Sequence, residues 1–149
     1  MRMPVLQLTM CAAFMLTSCI TSPSPEEMRQ RAEKNRWELA HWGDRRLPHG
    51  DDGEPVVLSF KDGRVWGHAG CNQYSAEIAF GPDRGSLKVY RGITTRMVCD
   101  ASRMEFESAF IQAFETSTRY RLEGESLFFQ GADGPPLEFY RRPLDGYAF

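Results

Sequence analysis

From Trp37 onward the chain is organised in short stretches where apolar and polar residues alternate, the period-two signature of half-buried strands. Trp37, Leu39 and His41 alternate with Glu38, Ala40 and Trp42, which predicts a strand with two mixed faces. A turn-rich stretch follows, rich in Gly, Pro and Asp. Val56, Leu58 and Phe60 then alternate as far as Asp62-Gly63, and Val65 begins a return. Asp-Gly between alternating runs predicts a hairpin, because both central residues of the tight turn must tolerate positive φ. Tyr74, Ala76, Ile78 and Phe80 keep the same period, the stretch Gly-Pro-Asp-Arg-Gly turns the chain, and Leu87 and Val89 resume it. Three more short strands are predicted at RYRLEG, SLFFQ and LEFYRR, separated by Gly124-Glu125 and by Ala132-Asp133-Gly134.

One segment breaks this rhythm. In DASRMEFESAFIQAFETS, Phe106, Ala109, Phe110, Ala113 and Phe114 fall at helical spacing, so a helix with a core-facing stripe is predicted. Ser102, followed three residues later by Glu105, fits a capping box in which each side chain answers an orphan backbone N–H. The charged run EEMRQRAEKNR holds good helix formers but no wide apolar stripe; it reads as a short surface helix or as part of a tether. The expected fold class is α+β: a mainly antiparallel curled sheet or partial β-barrel with one amphipathic helix packed across it.

The first residues change the picture from fold to address. Arg2 supplies positive charge and Val5 to Leu16 is mostly apolar, a run too short to span a bilayer and typical of a secretory signal. Leu16-Thr17-Ser18-Cys19 resembles the bacterial lipobox, in which an aliphatic and two small residues precede the Cys that is lipidated. An ordinary signal cleaved nearby, with Cys19 incidental, is the alternative. Cys11 fits less well, because bulky Met10 precedes it. The expected organisation is a signal peptide over 1–18, a lipidated N-terminus and charged tether over 19–36, a domain over 37–142 and a tail over 143–149. Two or three acyl chains on Cys19 would anchor the protein firmly without a transmembrane helix. Ile20, standing where an Asp would suggest inner-membrane retention, points to the outer membrane, facing the periplasm. The final Gly-Tyr-Ala-Phe has the terminal aromatic of outer-membrane barrels, but the predicted strands are mostly shorter than the roughly nine to eleven residues such barrels need.

Charge excludes little else. With 18 Lys and Arg against 20 Asp and Glu, the chain has no global attraction to nucleic acid or anionic lipid. The sulfurs say more. If Cys19 is lipidated, Cys71 and Cys99 remain, and an even pair in an oxidising compartment tends to form a disulfide. A metal site recruiting His68 is the competing reading, although three soft ligands without C-x-x-C spacing fall short of the four of a structural zinc. A catalytic thiol would need a base and an orienting group, and nothing in the pattern nominates them.

Gly67-x-x-Gly70-Cys71-Asn72-x-Tyr74, then Thr94-Thr95-Arg96-Met97-Val98-Cys99, then Glu105 opening the aromatic helix, resemble the META domain, or HslJ-like, family. The resemblance runs from about Trp37 to Arg142. Ser75-Ala76-Glu77 stands where the family often has a glycine, and the helix is rich in Phe where Leu is more usual. The resemblance implies a small exported antiparallel β domain with a helix, often lipid-anchored, and no established catalysis. It also implies a link to heat-shock induction and novobiocin resistance in bacterial relatives, and to secretion and virulence in a protozoan one.

Three classes of function compete. The first is a non-enzymatic, lipid-anchored envelope module, binding or structural, tied to envelope stress or antibiotic tolerance. Its partners would be the membrane, through the anchor, and an envelope protein or small apolar ligand. A pocket drawing on Asn72, Thr95, Arg96 and their neighbours Gly67, Gly70, Tyr74 and Met97 is its candidate site. The second is a periplasmic inhibitor or pilot-like chaperone that captures a peptide along a sheet edge. The third, a hydrolase, finds no G-x-S-x-G, H-E-x-x-H or P-loop, and no acid or nucleophile is arranged around His41, His49 or His68. The loop His49–Glu54 is acidic but lacks the alternating spacing of an EF-hand, so no metal and no cofactor is expected.

Overall fold

The computed structural model describes residues 24–48 and 53–143. The expected signal peptide, Cys19, most of the His49–Glu54 loop and the final Gly-Tyr-Ala-Phe lie outside these residues. The elements, in chain order, are α1 (Pro25–Glu33), β1 (Arg36–His41), β2 (Val57–Lys61), β3 (Arg64–His68), β4 (Gln73–Phe80), β5 (Leu87–Val89), β6 (Ile93–Thr94), α2 (Ala101–Glu115), β7 (Arg119–Glu123), β8 (Ser126–Gln130) and β9 (Leu137–Arg142).

The strands form one antiparallel sheet in the order β5-β4-β3-β2-β1-β9-β8-β7, with β6 also paired to β4. The two ends of that order nearly meet. Leu87 N donates to Thr118 O at 3.1 Å and Tyr120 N to Gly85 O at 2.8 Å, so the sheet curls into an almost closed barrel. The Asp62-Gly63 hairpin forms as the dipeptide predicts, with φ of 50° and 74° at the two turn residues. Strand β1 resolves its mixed faces by a register shift between Leu39 and His41 against β9. That irregularity adds a residue to one strand, so Trp37, Leu39 and Trp42 all turn inward while His41 stays exposed.

Helix α2 lies across the barrel and fills it with aromatics. Phe110 and Phe114 are fully buried, Phe106, Ala109 and Ala113 partly so. Phe114 meets Phe129 edge-on at 5.0 Å between ring centroids, and Phe129 meets Phe139 at 5.7 Å, the geometry that ring quadrupoles favour.

One helical expectation is corrected. The cap of α2 is Asp100, whose carboxylate accepts from Arg103 N; Ser102 sits inside the helix and Glu105 is exposed. The capping box belongs instead to α1, where Ser24 and Glu27 bond each other's backbone. Helix α2 is the one that packs across the sheet, as expected, and among the described residues a second helix joins it. The charged run that reads as surface helix or tether forms α1, and its Met28 and Ala32 are buried in the core. Trp37 Nε1 donates to Ala32 O at 3.0 Å, which satisfies a buried indole with a helix-end carbonyl. Two apolar positions four residues apart make too narrow a stripe to stand out from a charged helix, yet they suffice to cover one end of a barrel.

Candidate functional site

The strands β3 and β4 meet at a corner, Ala69 to Asn72, whose shape depends on two glycines. At Gly67 a Cβ would lie 1.7 Å from Val57 O, inside any allowed contact, so only glycine lets β2 and β3 pair this closely here. Gly70 adopts φ of 118°, which side chains rarely tolerate, and so turns the chain over Phe106.

The corner aims a row of donors at one carboxylate. Glu107, on the inward side of α2, accepts from Cys71 N at 3.0 Å, from Asn72 N, and from Asn72 Nδ2 at 2.8 Å. Glu107 is 8 % exposed and Asn72 5 %, so this is a buried acid held by three N–H groups. Asn72 then works in the other direction. Its Oδ1 accepts from Thr95 Oγ1 at 2.8 Å and from Met97 N at 2.7 Å. Asparagine carries both donors and acceptor on one side chain, so this one residue links the helix to the segment after β6. Gln73 N donates to Thr95 Oγ1 at 3.1 Å, and the Cys71–Cys99 disulfide ties the same corner to the entry of α2.

A second carboxylate clamps the other end of the segment. Glu115 Oε1 accepts from Gly92 N at 2.7 Å and from the Tyr74 hydroxyl at 3.3 Å. Burial, and then the negative charge of Glu115, push the Tyr74 phenol well above its ordinary pKa, so it stays a neutral donor. Gly92 to Cys99 is therefore held at both ends and in its middle.

What this framework displays is apolar. Ile93 is 74 % exposed, Met97 62 % and Val98 88 %, with half-exposed Tyr90 beside them. Single exposed apolar residues are ordinary, whereas here three stand within six positions on one held segment. The expected pocket is only partly assembled. Asn72 and Thr95 meet, Gly67, Gly70 and Tyr74 shape and brace the corner, and Met97 contributes its backbone, while Arg96 projects into solvent. His68 approaches Glu54, its Nε2 lying 3.6 Å from Oε2, and does not join the sulfurs. Among the described residues no three His, Cys, Asp or Glu side chains gather as metal ligands would.

Glu107 is the residue that strand and helix patterning misses. It stands three positions before Phe110 and seven before Phe114, on the stripe itself, and a carboxylate on a core stripe is the signal that could have found it. Glu115 carries no such signal, because it follows the stripe in a position that sequence leaves exposed.

No curated protein matches the chain. Solved structures do. An NMR structure of a protein from Burkholderia xenovorans has a TM-score of 0.66 at 22 % identity, covering 94 % of this chain and 99 % of that one. A crystal structure of a DUF4847 family protein from Bacteroides vulgatus has a TM-score of 0.57 at 13 % identity, covering 79 % and 99 %. At such identities the likeness is one of fold. The family model of the META domain matches residues 30–143, which takes in the Gly-Cys-Asn corner, the Thr-Thr-Arg-Met-Val-Cys segment and helix α2, and the chain belongs to the META domain family.

Proposed function

We propose that this META domain protein is a non-catalytic binding module of the cell envelope, anchored through lipid on Cys19. The observation that carries the reading is the segment Ile93–Val98, apolar, exposed and held by Asn72, Glu115 and the disulfide. The polar side chains around it are occupied in holding it: Glu107 and Asn72 are bonded at both of their polar atoms, and sulfur in a disulfide offers no thiolate. A surface held rigid before binding loses little freedom on binding, which favours recognition over chemistry.

The anchor gives the surface a direction. Only four residues lie between Cys19 and the Ser24 cap of α1, a reach of roughly 20 Å when extended. Helix α1 sits by the β2–β3 turn, where Asp62 N donates to Glu33, whereas Ile93–Val98 lies beside the start of β4 at the other end of the barrel. A lipidated Cys19 therefore presents the apolar segment away from its own membrane, towards components of the periplasm.

Membrane fractionation with intact mass spectrometry, combined with a photo-reactive side chain at Met97 in living cells, tests this reading. The expected result is acyl mass on a fragment beginning at Cys19 and a discrete envelope adduct at Met97. A soluble, unacylated chain whose Met97 position forms no adduct would refute it.

A further inference from the structure

Strand β6 is the one named strand without a buried residue, and exposure continues without interruption from Ile93 to Val98. One side of this segment is occupied. Thr94 and Ile93 pair with Tyr74 and Ser75, Thr95 N donates to Gln73 O at 3.1 Å, and Met97 N donates to Asn72. An antiparallel ladder uses alternate residues, so the odd-numbered N–H groups face β4 and those of Thr94, Arg96 and Val98 point away from it. None of these three meets an acceptor among the described residues. Strand β5 lies further along the same edge of β4, at Ile78 to Phe80, and leaves this part of the edge uncovered.

Resting on the reading above, we infer that Ile93–Val98 is an open sheet edge that accepts an extended acidic peptide by strand addition. Three features fit one occupant. The free backbone groups recur every second residue, the spacing at which another strand presents its own. Ile93, Met97 and Val98 offer apolar contact on both faces of the added strand. Arg91 and Arg96 are exposed and form no ion pair among the described residues, while Asp100 already caps α2 and pairs with Arg103 at 2.9 Å, and Glu115 is taken up by Gly92 N and the Tyr74 hydroxyl. Two arginines without a carboxylate partner therefore flank the edge, on a chain whose net charge is −2. A second copy of the chain is a poor partner, because antiparallel self-pairing brings each Arg96 towards the arginines of the other copy. An acidic strand reverses that repulsion.

The test uses full-length protein in detergent and fluorescence anisotropy with a labelled peptide alternating valine and glutamate. Three comparisons accompany it: the same peptide methylated at alternate backbone nitrogens, a valine–lysine peptide, and the Arg96→Glu protein. Strand addition predicts saturable binding of the valine–glutamate peptide, a tenfold or greater loss on backbone methylation, and a similar loss with Arg96→Glu. The lysine peptide should gain affinity for that variant, which also shows that the variant is folded. Equal binding of the methylated peptide would overturn the inference, as would absence of binding by the glutamate peptide. Concentration-dependent dimerisation, strengthened rather than weakened by exchanging Arg96 for Glu, would assign the edge to a second copy and overturn it as well. An envelope adduct at Met97 with no peptide binding would sink strand addition and leave the binding-module reading standing.

Discussion

The side-chain amide of Asn72 donates to the Glu107 carboxylate at 2.8 Å across 35 residues of sequence. That contact joins a strand corner to the middle of a helix, and through Asn72 Oδ1 it reaches the exposed segment after β6. The buried acid thereby fixes the position of the corner.

Removing the acid should therefore loosen the display. Glu107→Ala leaves the N–H groups of Cys71 and Asn72 buried without an acceptor, at a cost of about 3 kcal/mol. A melting temperature lower by roughly 10 °C is expected. Glu107→Gln should lose less, because its Oε1 can still accept from Cys71 N and Asn72 N and only its Nε2 meets a donor, Asn72 Nδ2. Thermal unfolding followed by circular dichroism checks both; a melt within 2 °C of the parent, on the order of half a kcal/mol, would contradict the assignment.

The disulfide closes a loop between positions 28 residues apart. Replacing Cys71 and Cys99 together by Ser should lower stability by about 3–4 kcal/mol in the chain-entropy account. Hydrogen exchange should rise most at Thr95 to Cys99, whose remaining ties are the bonds to Asn72 and Gln73. Uniform acceleration over the whole domain would show that the bridge supports the barrel rather than the segment.

Two glycines make a paired test of close approach. Gly67→Ala drives a methyl into the Val57 carbonyl, so the protein should fail to fold or lose more than about 3 kcal/mol. Gly124→Ala meets nothing within 4 Å and bears only its positive φ, so about 1 kcal/mol is expected. Urea unfolding of both variants gives the comparison, and equal midpoints would remove the steric explanation.

Helix α1 should behave as part of the folded unit. Met28→Ala is expected to lose about 2–3 kcal/mol, within the range for truncating a buried methionine. Deleting residues 24–34 should expose Trp37 and shift its fluorescence to the red, since the indole then loses both cover and its acceptor, Ala32 O. An unshifted spectrum would return the segment to the role of tether.

Much of the architecture was legible in the alternation of side chains. The Asp62-Gly63 hairpin, the strands on either side of α2 and the Phe110–Phe114 stripe follow from local rules, because turn geometry and facial periodicity involve residues a few positions apart. The place of Glu105 was misjudged by the same rules, since Asp100 reaches Arg103 N first and leaves Ser102 nothing to cap. A capping choice between two candidates two positions apart depends on where the preceding chain enters, and here the Cys71–Cys99 bridge ties the residue just before Asp100.

Period and composition by themselves determined an α+β chain with an amphipathic aromatic helix, and the even sulfurs pointed to their own pairing. Only the folded molecule decided that β1 slips register to bury Trp42, that α1 belongs to the core, and that Glu107 holds the Gly-Cys-Asn corner. It also decided which backbone groups near Arg96 face a neighbour and which face water. The reason is range: alternation records which way a residue points within its own element, whereas burial of a carboxylate or exposure of a strand edge depends on elements tens of residues away.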